Sequence, residues 1–125
     1  MPEYRRPFAP GATFFFTVVT NFGRPILSSP QAVYLLRTAF REEREHHPFD
    51  IVATVILPDH VHSIWTLPPG DTRFPMRWSA IKGRFTELFL SHGGVETGRS
   101  ESRRKRSERG VWQRRFWEHV IRDER

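Results

Sequence analysis

Two histidines spaced by one residue, His60-Val61-His62, are the side chains of this chain best placed to do chemistry. They sit in Ile51-Val52-Ala53-Thr54-Val55-Ile56-Leu57-Pro58-Asp59-His60-Val61-His62-Ser63-Ile64-Trp65-Thr66-Leu67, which reads as two apolar strands around a Pro-Asp turn. Side chains alternate faces along a strand, so both imidazoles project one way while Val61 points into the core behind them. Imidazole nitrogen is a common ligand for divalent metals. A pair so held forms half of a metal site on a rigid support. Such pairs also arise by chance on solvated faces, and the motif does not decide between the two by itself.

The segments around the pair must position it. Thr13 to Thr20 is aromatic and β-branched, which predicts a strand buried on at least one face. The run Phe14-Phe15-Phe16 within it reads as core. Ser29-Pro30 reads as an N-cap followed by proline in the first turn, and Ala32, Val33, Leu36, Ala39 and Phe40 then recur at helical spacing as far as Glu45 or His46. Arg37, Arg41, Glu42 and Arg44 fall on the opposite side of that helix. Phe49 to Leu57 and His60 to Leu67 predict an antiparallel hairpin closed at Pro58-Asp59, where Asp59 reads as a turn former. Phe74, Trp78, Ile81, Phe85 and Leu88 give a second amphipathic helix to about Ser91, closed by His92-Gly93-Gly94. Val111 to Ile121 resumes strand-like alternation. The order β-α-β-β-α-β predicts an α+β, ferredoxin-like fold. Two helices should cover one face of a four-stranded antiparallel sheet and leave the other face for a ligand.

Composition narrows the ligand. The chain has 125 residues, enough for one domain with a core, spanning residues 1–125. It has no cysteine, hence no disulfide framework and no thiolate chemistry. No stretch has the length of a membrane span and no signal peptide opens the chain, so a cytoplasmic location without membrane partners is expected. Twenty Lys+Arg against fourteen Asp+Glu give a net charge of +6, and nearly all the cations are arginine. Guanidinium groups match phosphate oxygens in pairs and stack on bases, so an arginine-rich, aromatic-rich small domain points to nucleic acid. Residues 1–11 read as a polar arm. Residues 96–109 hold six basic and three acidic residues with no apolar side chain, and read as a mobile basic loop.

Several segments together resemble one family, the REP-associated tyrosine transposases of the single-tyrosine HUH transposase group. They are Met1-Pro2-Glu3-Tyr4-Arg5-Arg6, the strand Thr13 to Thr20, Leu57 to Pro68 with its Pro-Asp-His-Val-His core, Arg77-Trp78-Ser79-Ala80-Ile81-Lys82, and Val111-Trp112-Gln113-Arg114-Arg115-Phe116-Trp117-Glu118-His119-Val120-Ile121. They span nearly the whole chain in the expected order. The resemblance implies an endonuclease and strand transferase acting on single-stranded DNA with hairpin structure, such as REP-like palindromes, and a nucleoid-associated location. It implies that His60 and His62 bind Mg²⁺ or Mn²⁺, and that a tyrosine attacks the phosphodiester and keeps its energy in a 5′-phosphotyrosine link.

The chain departs from the family pattern at one point. The family's nucleophilic tyrosine stands on a helix after the Arg-Phe-Trp-Glu-His strand, with a further polar metal ligand one turn on, whereas this sequence stops at Arg125. Its tyrosines are Tyr4 and Tyr34, and neither matches that position. The expectation is therefore the N-terminal part of such an enzyme, with the C-terminal helix absent and no covalent cleavage by these residues. The alternative reading is a non-catalytic, hairpin-DNA-binding transposase remnant. A ferredoxin-like RNA binder is disfavoured, since such sheets present aromatics rather than a histidine pair on the free face.

The expected DNA contacts are Tyr4, Arg5 and Arg6 on the arm, and Lys82, Arg84, Arg114, Arg115 and Trp117, where cations interleave with Trp78, Trp112 and Trp117. His46, His47 and His92 read as structural; His119, beside Glu118 on the last strand, reads as a structural hydrogen-bonder with a metal-proximal or catalytic role as the alternative. An apolar surface near His60, His62 and the last strand, together with bare sheet edges, should favour a homodimer or aggregation.

Overall fold

The computed structural model describes residues 11–96 and 110–121. The elements are β1 (Thr13–Thr20), a 3₁₀ turn at Asn21–Gly23, α1 (Pro30–His46), β2 (Asp50–Leu57), β3 (His60–Thr66), α2 (Phe74–Ser91) and β4 (Trp112–Ile121). The strands form one antiparallel sheet in the order β2-β3-β1-β4. This is the ferredoxin-like α+β plan that the sequence predicts, and the element boundaries differ from the expected ones by a residue at most. The arm at residues 1–10, with Tyr4, Arg5 and Arg6, lies outside the described residues, as does the basic segment 97–109.

Strict alternation builds the sheet. In β1, Phe14, Phe16, Val18 and Thr20 are buried while Thr13, Phe15, Thr17 and Val19 are part exposed. In β3, Val61, Ser63 and Trp65 are buried while His60, His62, Ile64 and Thr66 are not. The buried set meets Leu36, Ala39 and Phe40 of α1 and Trp78, Ile81 and Phe85 of α2 in one core. Trp65 stacks on Trp78 with ring centroids 4.5 Å apart, and Phe16 meets both rings at their edges or tilted. Each fully buried side chain of this size contributes roughly 1.5–3 kcal/mol, so the aromatic stack is a substantial part of the core. Trp65 Nε1 donates to Ser63 Oγ at 2.7 Å, and Ser63 in turn meets Thr54 Oγ1 at 2.8 Å, so the polar atoms behind the histidines are satisfied.

The helix ends follow the residues that mark them. Ser29 Oγ accepts from the Ala32 amide at 3.1 Å and caps α1, with Pro30 in the first turn. The hairpin turn is held from outside: Thr20 N donates to Asp59 O at 3.0 Å and Leu27 N to Pro58 O at 2.9 Å. That fixes the Pro58-Asp59 corner against β1, and with it the start of β3 where His60 stands.

The run Phe14-Phe15-Phe16 divides between the two faces. Phe14 and Phe16 are core, but Phe15 turns to the open face and stacks on His62, centroids 5.3 Å apart and planes 22° apart. Three consecutive aromatics on a strand cannot all face one side.

Candidate functional site

The open face of the sheet is laid out by register. One row across the strands is Val55, His62, Thr17 and Trp117. The next is Ala53, Ile64, Phe15 and His119, and on the other side Leu57 and Val19 flank His60. The two imidazoles are 4.8 Å apart between centroids, with planes at 81°. Both are part exposed, and Val61 between them is buried, as the alternation requires.

Each ring is oriented by a second residue. His60 Nδ1 lies 2.7 Å from Asp59 Oδ1. The hydrogen bond from His60 holds the Asp59 carboxyl below the usual carboxylate range, so Asp59 is an acceptor and His60 Nδ1 carries the proton. In the neutral ring that leaves the lone pair on Nε2. His62 Nδ1 lies 3.0 Å from Thr17 Oγ1, a hydroxyl able to accept the same Nδ1 proton. No hydrogen bond reaches either Nε2 among the described residues. A ligand nitrogen whose other ring nitrogen is tied to a carboxylate or hydroxyl is the usual construction of a metal-binding histidine.

Among the described residues no group of three or more His, Cys, Asp or Glu side chains is arranged to hold an ion. The two imidazoles could supply two ligands to a divalent ion, and further ligands would have to come from elsewhere.

No family model matches the chain. A REP-associated tyrosine transposase of Haemophilus influenzae is 38% identical over 125 residues, covering 100% of this chain and 69% of that protein. The chain belongs to the REP-associated tyrosine transposases. A second member, from Escherichia coli K12, is 41% identical over 123 residues, covering 98% of this chain and 64% of that protein. This family member thus spans about two thirds of the length of either relative. A solved structure of the REP-associated tyrosine transposase bound to a REP hairpin superposes with a TM-score of 0.69 at 38% identity, over 99% of this chain and 64% of that one. A transposase structure from Deinococcus radiodurans has a TM-score of 0.68 at 16% identity, covering 98% of this chain and 88% of that one, which speaks to the fold.

The remaining expected DNA contacts of this transposase-family chain fall into two groups. Trp117 is 54% exposed and stands in the same row as His62. Lys82 and Arg84 are on α2, in the helix layer on the other side of the sheet. Lys82 Nζ donates to the carbonyls of Gln113 and Arg114 at 2.9 and 3.4 Å, tying α2 to β4. Arg84 pairs with Glu42 of α1 at 2.7 Å and with Glu87 at 3.3 Å. Arg114 and Arg115 are both exposed, in the stretch of β4 where its pairing with β1 shifts register. Trp78 and Trp112 are 1% and 5% exposed, so neither offers a face to a base.

Tyr34 lies on α1 and is 64% exposed, in the helix layer rather than on the histidine face. His46 and His92 bond to carbonyls one turn back in their helices, and His47 to Glu43, as expected of structural histidines. Sequence reasoning did not find Thr17 or the bond from His60 to Asp59. Asp59 is adjacent to His60 in sequence and offered a signal, whereas Thr17 meets His62 only through strand register.

Proposed function

We propose that this chain is the DNA-holding and metal-ligating part of a REP-associated tyrosine transposase, acting on hairpin-forming single-stranded DNA at the open sheet face. The observation that carries the reading is the oriented pair His60 and His62, each with Nδ1 engaged and Nε2 turned free, on the same sheet face as Trp117. His60 and His62 would hold Mg²⁺ or Mn²⁺. When bound, such an ion polarises a phosphodiester and positions its leaving oxygen. Arg115 would take a phosphate and Trp117 would stack on a base, about two strand spacings, or roughly 10 Å, from His62. The solved relative bound to a REP hairpin and the net charge of +6 support DNA as the partner.

The same reading places residues 1–125 in a single domain, with Tyr4, Arg5 and Arg6 as arm contacts to DNA. It places the protein in the cytoplasm at the nucleoid; no helix among the described residues is long and apolar enough to cross a membrane. Exposed Val55, Trp117 and Ile121 on the open face, with bare edges at β2 and β4, favour self-association.

Binding should prefer single-stranded or hairpin DNA to plain duplex. Neutralising about four to six phosphates gives a slope of log affinity against log salt of roughly −3 to −5. Arg114→Glu and Arg115→Glu should each weaken binding. Fluorescence anisotropy across salt concentrations tests this, and binding insensitive to salt would contradict it.

In the second reading these residues hold hairpin DNA without cutting it. The position of Tyr34 favours it, because a nucleophile must come within about 3–3.5 Å of the reacting phosphorus. A denaturing gel after incubation with hairpin DNA and Mn²⁺ should then show no covalent protein–DNA adduct from these 125 residues. An adduct that Tyr4→Phe removes would mean the arm supplies the nucleophile.

A further inference from the structure

The helix layer carries a second concave surface that the histidine face does not use. It is a groove of about 500 Å³ between α1 and the edge strand β2. Arg37, Arg41 and Arg44 rim it, and Ile51, Thr54 and Ile56 line the β2 side. The three arginines recur at i, i+4 and i+7, so they form one stripe roughly 10 Å long. Arg37 and Arg41 make no hydrogen bond or ion pair among the described residues. Arg44 gives its Nε to the Phe49 carbonyl at 3.0 Å and lies over the Phe49 ring, 5.9 Å from its centroid. Among the described residues no carboxylate lines the groove, and Glu42, which feels the charge of Arg41, hydrogen-bonds to Arg84 instead. Like charges one turn apart destabilise a helix, so an arginine-rich stripe over an apolar floor is complementary to an anionic chain.

The place of the groove indicates which anion. Val55 lies opposite His62 and Leu57 opposite His60, on the histidine face, whereas Thr54 and Ile56 turn into the groove. β2 is the edge of the sheet, so the path from the histidines crosses one strand spacing, about 5 Å, and then turns round that edge to the opposite face, where α1 packs about 10 Å away. A nucleic-acid strand with one phosphate at the histidines can pass round this edge over a few nucleotides.

We propose that the groove binds the unpaired flank of the hairpin DNA, with successive phosphates on Arg37, Arg41 and Arg44 and the sugars against Ile51 and Ile56. The proposal rests on the hairpin-DNA reading above. An acidic protein segment is the competing occupant.

The test measures the full chain against one stem-loop with blunt ends and the same stem-loop carrying a ten-nucleotide unpaired tail on either side. Three phosphate contacts to a single strand steepen the salt slope by about 2, and near 0.1 M salt they tighten binding of one tailed hairpin about 10- to 100-fold. The variant R37Q/R41Q/R44Q should lose that gain and keep its affinity for the blunt hairpin within about two-fold. R37Q/R41Q, which leaves the Arg44 bond to Phe49 intact, should lose about two thirds of the slope change. Three results overturn the proposal while leaving the hairpin reading standing: a triple variant that keeps the gain from the tail, equal loss on blunt and tailed DNA, or a wild type that gains nothing from either tail. In that last case, charge-dependent binding of a poly-glutamate peptide would assign the groove to a protein partner. A wild type that binds neither DNA removes the hairpin reading, and this proposal with it.

Discussion

His60→Ala or His62→Ala is expected to lower the affinity of the sheet face for Mn²⁺ by at least about 100-fold. The scale follows from what outer partners are worth: losing a group that only orients a ligand histidine typically costs about 10- to 100-fold, and losing the ligand itself costs more. The pair stands without a third donor among the described residues, so neither imidazole has a local substitute. Asp59→Ala should cost about 10-fold or more with both ligands in place, because it releases the 2.7 Å bond that fixes the His60 ring. Thr17→Val should act the same way on His62, whose Nδ1 it meets at 3.0 Å. Asp59→Glu, which keeps a carboxylate within reach, should recover part of the loss. Manganese titrations followed by electron paramagnetic resonance read each variant directly. Unchanged affinity in either alanine variant of the histidines would exclude the pair as ligands.

Asp71→Ala is expected to destabilise the fold by about 3 kcal/mol, a fall in melting temperature of roughly 10 °C. Arg77 is 1% exposed, although it lies in the first half of an amphipathic helix. Its guanidinium is buried because it is fully engaged. It donates to the carbonyls of His47 and Pro48 at 3.1 Å each, and to Asp71 Oδ1 and Oδ2 at 3.2 and 3.0 Å. The group therefore clamps the start of α2 to the loop after α1. Removing Asp71 leaves a buried cation short of its counterion, the costly half of breaking such a pair.

The same contact sets an acid limit. The hydrogen bonds from Arg77, and then from Arg73, hold the Asp71 carboxyl well below the usual carboxylate range. A depressed carboxyl contributes stability that is complete above its unfolded value, about pH 4, and is lost as pH falls toward its folded value. Urea melts between pH 7 and pH 2 should show wild type losing this contribution in acid and Asp71→Ala showing a smaller loss over the same range. Parallel pH dependence in the two proteins would mean that Asp71 is not the linked group.

The elements were legible because local pattern and tertiary demand agree. Thr13–Thr20 alternates, Ser29-Pro30 marks the start of α1, and the histidine pair shows its common face by a period of two. What escaped the sequence depends on pairing between distant segments. Thr17 reaches His62 across 45 residues, and Arg84 finds Glu42 across 42, an ion pair between the helices. Arg77 looks like a surface cation until the carbonyls of His47 and Pro48 are brought to it. Phe15 was hidden in an aromatic run whose middle member must face the other way.

The most direct test of the histidine face is paramagnetic broadening by Mn²⁺ of the six histidine side chains, assigned by mutation, in the presence of hairpin DNA. The account predicts that the resonances of His60 and His62 vanish first, at substoichiometric metal, while His46, His47 and His92 on the helix layer persist. Broadening that begins at those three, or that spreads evenly over all six with His60 and His62 no more affected than the rest, would contradict it.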